Sequence, residues 1–579
     1  DALFTTTTEY KKLSHALSGK GACALFGLPA SGRAQVYAAL CRQLDKPLCI
    51  VTPGEAEATR FAADLNTLGI PAAVFPARDY VLRPIEGTAR EYEYRRLAVL
   101  GELVGGRLRA VAVPAEALTQ FTTPKEDFCA NTRTLHAGDT LLRDDLLAAL
   151  FGAGYTRRAQ VDGPGQFSVR GDIVDIFAPD QKMPVRMEFW GDEIDTLHTF
   201  DLTTQRREDA IDKFYLSPAR EVLFGKPADA AEQLRAFLAK QRGKKKTAMA
   251  DCMAADLDLL DGGAVPVNMD KYLAVRYPHP ATVLDYFDDP ILVAEEPASI
   301  READRATAYR RGEELKSLIL DGVLCAGLDN LYADPSYLWS KTGHYRTICA
   351  ENFTRSMPDQ PLKDIINAPA HTLPAWNGEV AGLLEDLKPL CDAGYTVTLL
   401  AGTDRAAAGL ARDLRDKGIL VTTDAAAAPA AGLVQVLAGH LSAGCEFPFA
   451  KYALLTGRAF GETSSQKKKR KKAKDALNSL TEITPGDLVV HQNHGIGRYA
   501  GIQRMAVQGV TKDYLRIEYD KKDVLYVPVT QLDLLSRYTA PGDSENVKLS
   551  RLGGAEWTKT RKKVRAATEQ MAKELIELY

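Results

Sequence analysis

Short apolar segments alternate with helical patterns along the first 115 residues. Residues 22–26, 48–52, 72–75 and 110–114 are apolar runs of strand length, and each gap between them contains a segment with helical periodicity. This alternation predicts a parallel sheet covered by helices, because parallel neighbours need a long crossover connection. We therefore predict an α/β domain over residues 1–115.

Length and composition bound the rest of the chain. Its 579 residues exceed one domain, and the 45% hydrophobic and 26% charged residues are typical of globular protein. No run of 18 apolar residues occurs, so we predict no contact with a membrane. The net charge of −3 argues against a uniformly basic nucleic-acid coat, although a local basic patch stays possible. Nine scattered cysteines without Cys-x-x-Cys spacing favour free thiols in a reducing compartment.

The two ends of the sequence suggest a portion of a longer protein. Asp1 is not a start methionine, and no basic segment followed by an apolar core marks a signal peptide. The last residues stop inside a helical pattern that has no cap. We therefore expect further domains in the parent protein.

The first strand-to-helix connection resembles a phosphate-binding loop. Residues 27–34 read GLPASGRA, and Gly27 and Gly32 have the spacing of the P-loop GxxxxGK[ST]. Arg33 replaces the lysine that would reach the phosphates, and Ala34 replaces the hydroxyl that would hold Mg²⁺. Two glycines alone are also typical of an ordinary strand-to-helix turn.

A second feature of nucleotide-binding folds occurs later in the chain. Residues 291–294 form an apolar strand, and Glu295 and Glu296 follow it in the position of a Walker B acidic pair, with Glu295 where Asp is usual. Together the two features predict a degenerate P-loop fold. Since the metal anchor is lost, we predict no bound cofactor and no ATP hydrolysis by this chain.

Further blocks differ in character from the first. Segment 116–206 contains a predicted hairpin of residues 167–177 and 185–190, which indicates an α+β module. Helix and strand patterns return over 207–340 and again over 345–460, the second being a small α/β domain of unknown role.

The last third of the chain begins with a basic stretch. Seven of the eight residues from 467 to 474 are basic, so 464–483 is predicted as a solvated linker, with phosphate binding as the alternative. Short strands with glycines at their bends predict a small β-barrel over 484–540, closed by a helix at 531–536. Residues 555–579 have the apolar stripe of an amphipathic helix.

Two segments resemble known families. Residues 167–177 and 186–195 (FSVRGDIVDIF and RMEFWGDEID) resemble the UvrA-binding domain shared by the excision-repair protein UvrB and the bacterial transcription-repair coupling factors. Residues 491–499 (HQNHGIGRY) resemble the RNA-polymerase-interacting, Tudor-like domain shared by those factors and the CarD regulators. Only the coupling-factor family joins the two. The chain is therefore identified as a member of that family, matching its N-terminal portion.

The resemblance implies a set of binding residues in the repair-type hairpin. Arg170, Arg186 and Trp190 match the positions that contact UvrA in the family. On residue type alone, the arginines could equally be solvated surface, and Trp190 could lie in the core. With the resemblance, we expect Arg170→Ala or Arg186→Ala to weaken UvrA binding without unfolding the chain.

The resemblance also implies an exposed strand edge that pairs with the RNA polymerase β subunit. By position, Ile502, Arg504 and Met505 are the expected contacts, although Met505 could instead fill the core. His491 and His494 suggest a metal, but two ligands without cysteines make a poor zinc site, so a turn is predicted and no metal.

The function implied is that of an adaptor in transcription-coupled repair in the bacterial cytoplasm. In the family, an ATP- and Mg²⁺-dependent motor that moves on double-stranded DNA follows the polymerase-interacting module, and helix 555–579 would lead into it. Two alternatives stay open at this point: a UvrB-like ATP-dependent repair helicase and a CarD-like transcription regulator.

Overall fold

The computed structural model describes residues 2–84, 90–202, 204–354, 357, 360–376, 380–428, 430–457, 483–505, 512–529, 534–538, 549–552 and 557. The predicted basic linker and all of the predicted terminal helix except Trp557 lie outside the described residues.

Strands and helices alternate along most of the chain. The strands up to residue 295 are β1 Gly21–Phe26, β2 Leu48–Thr52, β3 Ala72–Val74, β4 Ala110–Pro114, β5 Arg133–His136, β6 Thr156–Arg157, β7 Gln166–Arg170, β8 Ile173–Phe177, β9 Val185–Trp190, β10 Glu193–Phe200, β11 Arg207–Ala210, β12 Lys213–Leu216 and β13 Ile291–Glu295. The later strands are β14 Arg346–Glu351, β15 Leu362–Asn367, β16 His371–Leu373, β17 Thr396–Leu400, β18 Val421–Thr422, β19 Val434–Leu437, β20 Gly444–Phe447, β21 Tyr452–Thr456, β22 Leu488–His491, β23 Gly495–Met505, β24 Lys512–Glu518, β25 Val524–Pro528 and β26 Leu535–Arg537. The helices are α1 Ala2–Thr5, α2 Thr8–Ala16, α3 Ala30–Leu44, α4 Glu55–Thr67, α5 Glu91–Val104, α6 Ala115–Leu118, α7 Lys125–Ala130, α8 Arg143–Gly152, α9 Pro227–Ala239, α10 Gly243–Asp261, α11 Leu273–Arg276, α12 Pro297–Leu320, α13 Tyr337–Lys341, α14 Val380–Asp392 and α15 Asp404–Asp416.

The predicted parallel sheet is confirmed and is larger than the first block. Its strand order is β15-β1-β14-β13-β2-β4-β3, and all neighbouring strands run parallel. Its central strands are buried along almost their whole length, which explains why they read as continuous apolar runs. Along β1, Cys23 and Leu25 pack on one face of the sheet, and Ala24 and Phe26 pack on the other.

Two strands of this sheet come from the segment assigned above to the 345–460 block. β14 lies between β1 and β13, and β15 pairs with the other side of β1. The sequence does not reveal this order, because crossover connections make strands that are distant in the chain into neighbours.

Strands between residues 156 and 210, which extend beyond the predicted 116–206 segment, form a sheet of order β11-β10-β9-β8-β7-β6, in which only the β6–β7 pair is parallel. The predicted hairpin of two long strands is wrong in detail, since residues 167–177 form two strands that turn at Gly171-Asp172. An equivalent turn at Gly191-Asp192 joins β9 to β10. Both glycines have positive φ, of 59° and 63°, which suits tight hairpin turns.

Two smaller sheets complete the described fold. The order β16-β20-β21-β17-β19-β18 forms the core of the 345–460 block, and α14 and α15 pack against it. The antiparallel order β25-β24-β23-β22-β26 forms the last module. The closing helix predicted at 531–536 ends earlier than predicted, because Leu535 begins β26 and pairs with β22; residues 531–533 lie outside the described residues. The closure of this sheet into a barrel stays a prediction.

A buried ionic network joins α5 to Glu221, which lies in the segment after β12. Arg96 contacts Glu221 through two nitrogens, at 2.6 and 3.1 Å, and is fully buried. Arg78 contacts the same carboxylate at 3.1 Å and Asp270 at 2.7 Å. On the same helix, Glu93 accepts a hydrogen bond from the Glu221 backbone N–H at 3.1 Å. Arg96 and Glu93 of α5 therefore have their charges paired inside the fold.

Within the described ranges, no helix combines the length and apolarity that crossing a membrane requires.

Candidate functional sites

The turn between β1 and α3 is shorter than the spacing of Gly27 and Gly32 in the predicted P-loop suggests. Helix α3 begins at Ala30, so Gly32, Arg33 and Ala34 lie in the helix rather than in a loop. Gly27 has a φ of 89°, and a Cβ there would lie 3.0 Å from Asn367 Oδ1. The turn therefore needs glycine for reasons of backbone conformation and packing.

Arg33 is held by the acidic pair at the end of β13. Its Nε lies 3.1 Å from Glu295 Oε2, and its Nη1 lies 2.8 Å from Glu296 Oε1. Burial opposes the charge of Arg33, but Glu295, Tyr37 and Glu296 together hold its pKa above the ordinary value. Burial also raises the pKa of Tyr37, whose hydroxyl donates a hydrogen bond to Glu295 at 2.5 Å. The structure thus brings together the two predicted halves of a nucleotide site, and they neutralise each other.

The first turn of α3 is covered by the 345–460 block. Ser31 Oγ donates a hydrogen bond to the carbonyl of Gly444 at 3.4 Å. A Cβ on Gly32 would lie only 2.8 Å from Cys445 Sγ and 3.4 Å from the ring of Phe447. Cys445 and Phe447 belong to the same buried core as the residues of α3. Side chains of β20 therefore occupy space beside the helix terminus where a P-loop would receive phosphate. The sequence showed no sign of this cover.

The sheet formed by β6 to β11, which we call the repair-type sheet, carries Arg170 and Trp190 at one end. β7 and β9 both pair antiparallel with β8, so they run in the same direction and their final residues, Arg170 and Trp190, lie at the same end. Two strand spacings put their backbones about 10 Å apart. Trp190 is 81% exposed, which excludes its placement in the core, and the Arg170 side chain is 48% exposed.

Arg186 is not the exposed cation that its sequence position suggests. Its guanidinium forms a bidentate pair with Asp175, at 2.7 and 2.9 Å, and donates to the carbonyl of Gln205 at 2.9 Å. It also stacks over the ring of Phe200, and its side chain is only 13% exposed. The hydrogen bonds that Arg186 donates to the Asp175 carboxylate raise the pKa of Arg186. Arg186 therefore neutralises a buried carboxylate in the middle of the sheet, so the expectation that Arg186→Ala leaves the fold intact is wrong on geometry.

The last module has a free strand edge where the resemblance requires one. β23 pairs with β24 from residue 498 to Met505, whereas β22 pairs only with its first four residues. Among the residues that the structure describes, no strand covers the other side of residues 501–505. Ile502 is 42% exposed there. Arg504 and Met505 end β23, and their side chains lie outside the described part.

A third residue joins the two histidines, and sequence reasoning missed it. His491 and His494 flank the predicted turn, which is confirmed, and Glu91 at the start of α5 approaches both. His494 Nε2 lies 3.0 Å from Glu91 Oε1, and His491 Nε2 lies 4.0 Å from the same oxygen. The three possible ligand atoms lie within 4.8 Å of one another. Four hundred residues separate Glu91 from the histidines, so spacing could not have indicated it.

Comparisons with known proteins agree with this arrangement of modules. The family model of the UvrB interaction domain matches residues 134–222, and that of the CarD-like/TRCF RID domain matches residues 483–539. Together they define a multidomain protein that combines a repair-type interaction domain with a CarD-type domain.

Curated relatives extend the likeness over the remaining chain. The "Transcription-repair-coupling factor" of Bacillus subtilis is 29% identical over 570 residues, and that of Staphylococcus haemolyticus is 28% identical over 571 residues. Each alignment covers 96% of this chain and 48% of the relative. The chain is thus similar to transcription-repair coupling factors over nearly all of its own length and spans about half the length of the curated relatives it matches.

We predict that Arg33→Ala lowers the free energy of unfolding by about 3–5 kcal/mol, because it leaves Glu295 buried without its cation. The control is Arg107→Ala, which removes a surface pair with Glu102 and should cost about 0–1 kcal/mol. Urea denaturation of the 579-residue chain measures both.

In the same samples, Mg²⁺-ATP should neither raise the melting temperature nor be hydrolysed. Turnover that is lost on changing Glu296 would contradict this prediction.

We predict opposite behaviour for two residues of the repair-type sheet. Trp190→Ala should leave the melting temperature unchanged and weaken UvrA binding at least tenfold, since an exposed aromatic anchor contributes about 2 kcal/mol or more. Arg186→Ala should cost about 2–3 kcal/mol of stability, because Asp175 is left buried with an incomplete set of partners. Thermal melts and titration with UvrA measure the two effects. Equal stability of both variants would contradict the assignment of Arg186.

Proposed function

We propose that this chain is the adaptor portion of a transcription-repair coupling factor. One surface, at the Arg170 and Trp190 end of the repair-type sheet, recruits UvrA. The other, the free edge of β23 at residues 501–505, binds stalled RNA polymerase through its β subunit. The protein works in the bacterial cytoplasm.

The observation that supports this proposal best is the pairing pattern of β23. A strand whose second half has hydrogen-bonding groups open on one side can accept a further strand from a partner. Main-chain bonds then supply affinity, and exposed side chains such as Ile502 supply selectivity. The match to the CarD-like/TRCF RID domain covers this strand, and we refer to residues 483–539 as the RID domain.

The motor activity is assigned to the part of the family's length that this chain does not cover. There, ATP and Mg²⁺ would drive movement on double-stranded DNA, and the movement would displace the stalled polymerase. For the present chain we propose no cofactor, no catalytic residue and no enzymatic activity. The neutralisation of Arg33 by Glu295 and Glu296 supports this, because a cation paired twice is not available to a phosphate.

Two rival functions make different predictions. A UvrB-like repair helicase would require nucleotide binding at α3, where β20 packs instead. A CarD-like regulator would bind polymerase without UvrA. Capture of both UvrA and polymerase β by one sample of the 579-residue chain is expected from the adaptor alone. Capture of polymerase without UvrA would favour the regulator.

We predict that Met505→Arg abolishes the capture of polymerase β, because a second charged, bulky side chain beside Arg504 would oppose strand addition at the free edge. Capture of UvrA should be unchanged, which serves as the internal control for folding. Trp190→Ala should show the reverse pattern. Loss of both partners in either variant would contradict the separation of the two surfaces.

A further inference from the structure

The turn between β22 and β23 contacts the N-terminal α/β domain as well as its own module. It comprises residues 491–495, and we refer to it as the docking turn. On one side, His494 and His491 meet Glu91, the first residue of α5. On the other side, Trp557 Nε1 donates a hydrogen bond to the carbonyl of Gln492 at 3.1 Å.

The docking turn is also tightly packed against Ser550, which follows its module in the chain. The Ile496 N–H donates to Ser550 Oγ at 2.9 Å, and a Cβ on Gly495 would lie 2.4 Å from that oxygen. Gly495 also has a φ of 82°, so a side chain is disfavoured there twice over. The histidines are therefore held in place and do not merely approach Glu91 from a loose loop.

The Glu91 carboxylate is buried and ionised in this contact. Burial opposes its charge, but the hydrogen bond from His494 and the charges of the two imidazoles outweigh burial and lower its pKa to about 2. Its position at the first residue of a helix favours a negative charge as well. The other titratable groups that face the cluster are Tyr519, whose pKa is raised mainly by burial, and Asp162, which lies near His494 and whose pKa burial also raises.

The tautomer of His491 argues against a metal; its Nε2 lies 4.0 Å from Glu91 Oε1 and forms no hydrogen bond among the described residues. The Asn493 N–H donates to His491 Nδ1 at 3.2 Å, so the neutral ring bears its proton on Nε2. That N–H points toward Glu91, whereas a metal at Nε2 would need the lone pair there and a proton on Nδ1. Burial lowers the pKa of His491 to about 4, so the ring is neutral at physiological pH.

We infer that the docking turn is an interaction surface that holds the RID domain on the N-terminal α/β domain, and that its occupant is the Glu91 end of α5. The free edge at 501–505 begins six residues farther along β23, about 20 Å at the rise of an extended strand. Docking therefore leaves that edge exposed. Helix α5 then positions the RID domain through Glu91 and the UvrA-binding module through Arg96 and Glu221.

The contact weakens as the pH falls below 6.5, the ordinary pKa of histidine. The pKa of His491 in the folded chain, about 4, lies below its ordinary 6.5, so the unfolded or undocked state takes up the proton first and stability falls as pH drops from about 6.5 to 4. The pKa of Glu91, about 2 against an ordinary 4.5, acts in the same direction below pH 4.5.

Histidine modification of the 579-residue chain tests the inference. Diethyl pyrocarbonate reacts with accessible neutral imidazoles, and mass spectrometry locates the adducts. At pH 7, Glu91→Ala is expected to increase the modification rate of His491 at least fivefold, because His491 is fully buried in the docked form. Glu102→Ala, which removes a carboxylate from the same helix without touching the RID domain, should behave like the wild type.

Three results would overturn the inference. The first is an unchanged modification rate of His491 in Glu91→Ala. The second is an increase accompanied by loss of amide protection throughout β23 and β24, which would make Glu91 part of the folding of the RID domain. The third is a rise in melting temperature with one equivalent of Zn²⁺ that Glu91→Ala removes, which would make the cluster a metal centre.

Discussion

Helix α5 and the buried carboxylates around it connect the modules of this chain. Arg96 and Arg78 share Glu221, which follows the repair-type sheet in the chain, and Arg78 also reaches Asp270. Buried ions of this kind contribute little net stability, but the loss of one partner is costly because the other stays desolvated. The network therefore joins α5 to the segment that follows the repair-type sheet through contacts that are costly to break singly.

At the P-loop-like turn, the fold pairs charges with one another that an active nucleotide site would direct at a ligand. In an active P-loop, the basic residue and the acidic pair would face phosphate and metal. Here Arg33 pairs with Glu295 and Glu296, and β20 packs beside the first turn of α3. A block without any recognisable motif thus acquires a structural role, which is to complete the core on that side of the sheet.

The two proposed binding surfaces have different physical characters. At the repair-type sheet, Trp190 and Arg170 lie at hairpin turns, and a rigid antiparallel sheet holds them in position. At the RID domain, the open backbone of β23 is the main feature and side chains are secondary. Because one proposed surface depends on exposed side chains and the other on open backbone groups, a substitution can change one surface without the other.

The sequence by itself determined the α/β class and the likeness to coupling factors, because apolar periodicity and short motifs are local properties. Strands 48–52 and 110–114 were predicted at their observed bounds. The tertiary structure decided the strand order, the insertion of β14 between β1 and β13, the pairing of Arg186 with Asp175, and the contact of Glu91 with two histidines four hundred residues away. Each of these depends on which distant segments meet. Residue type shows that an arginine or a glutamate can form an ion pair. Only the packing of the chain determines whether its charge is paired inside the fold or exposed at the surface, where a partner can bind it.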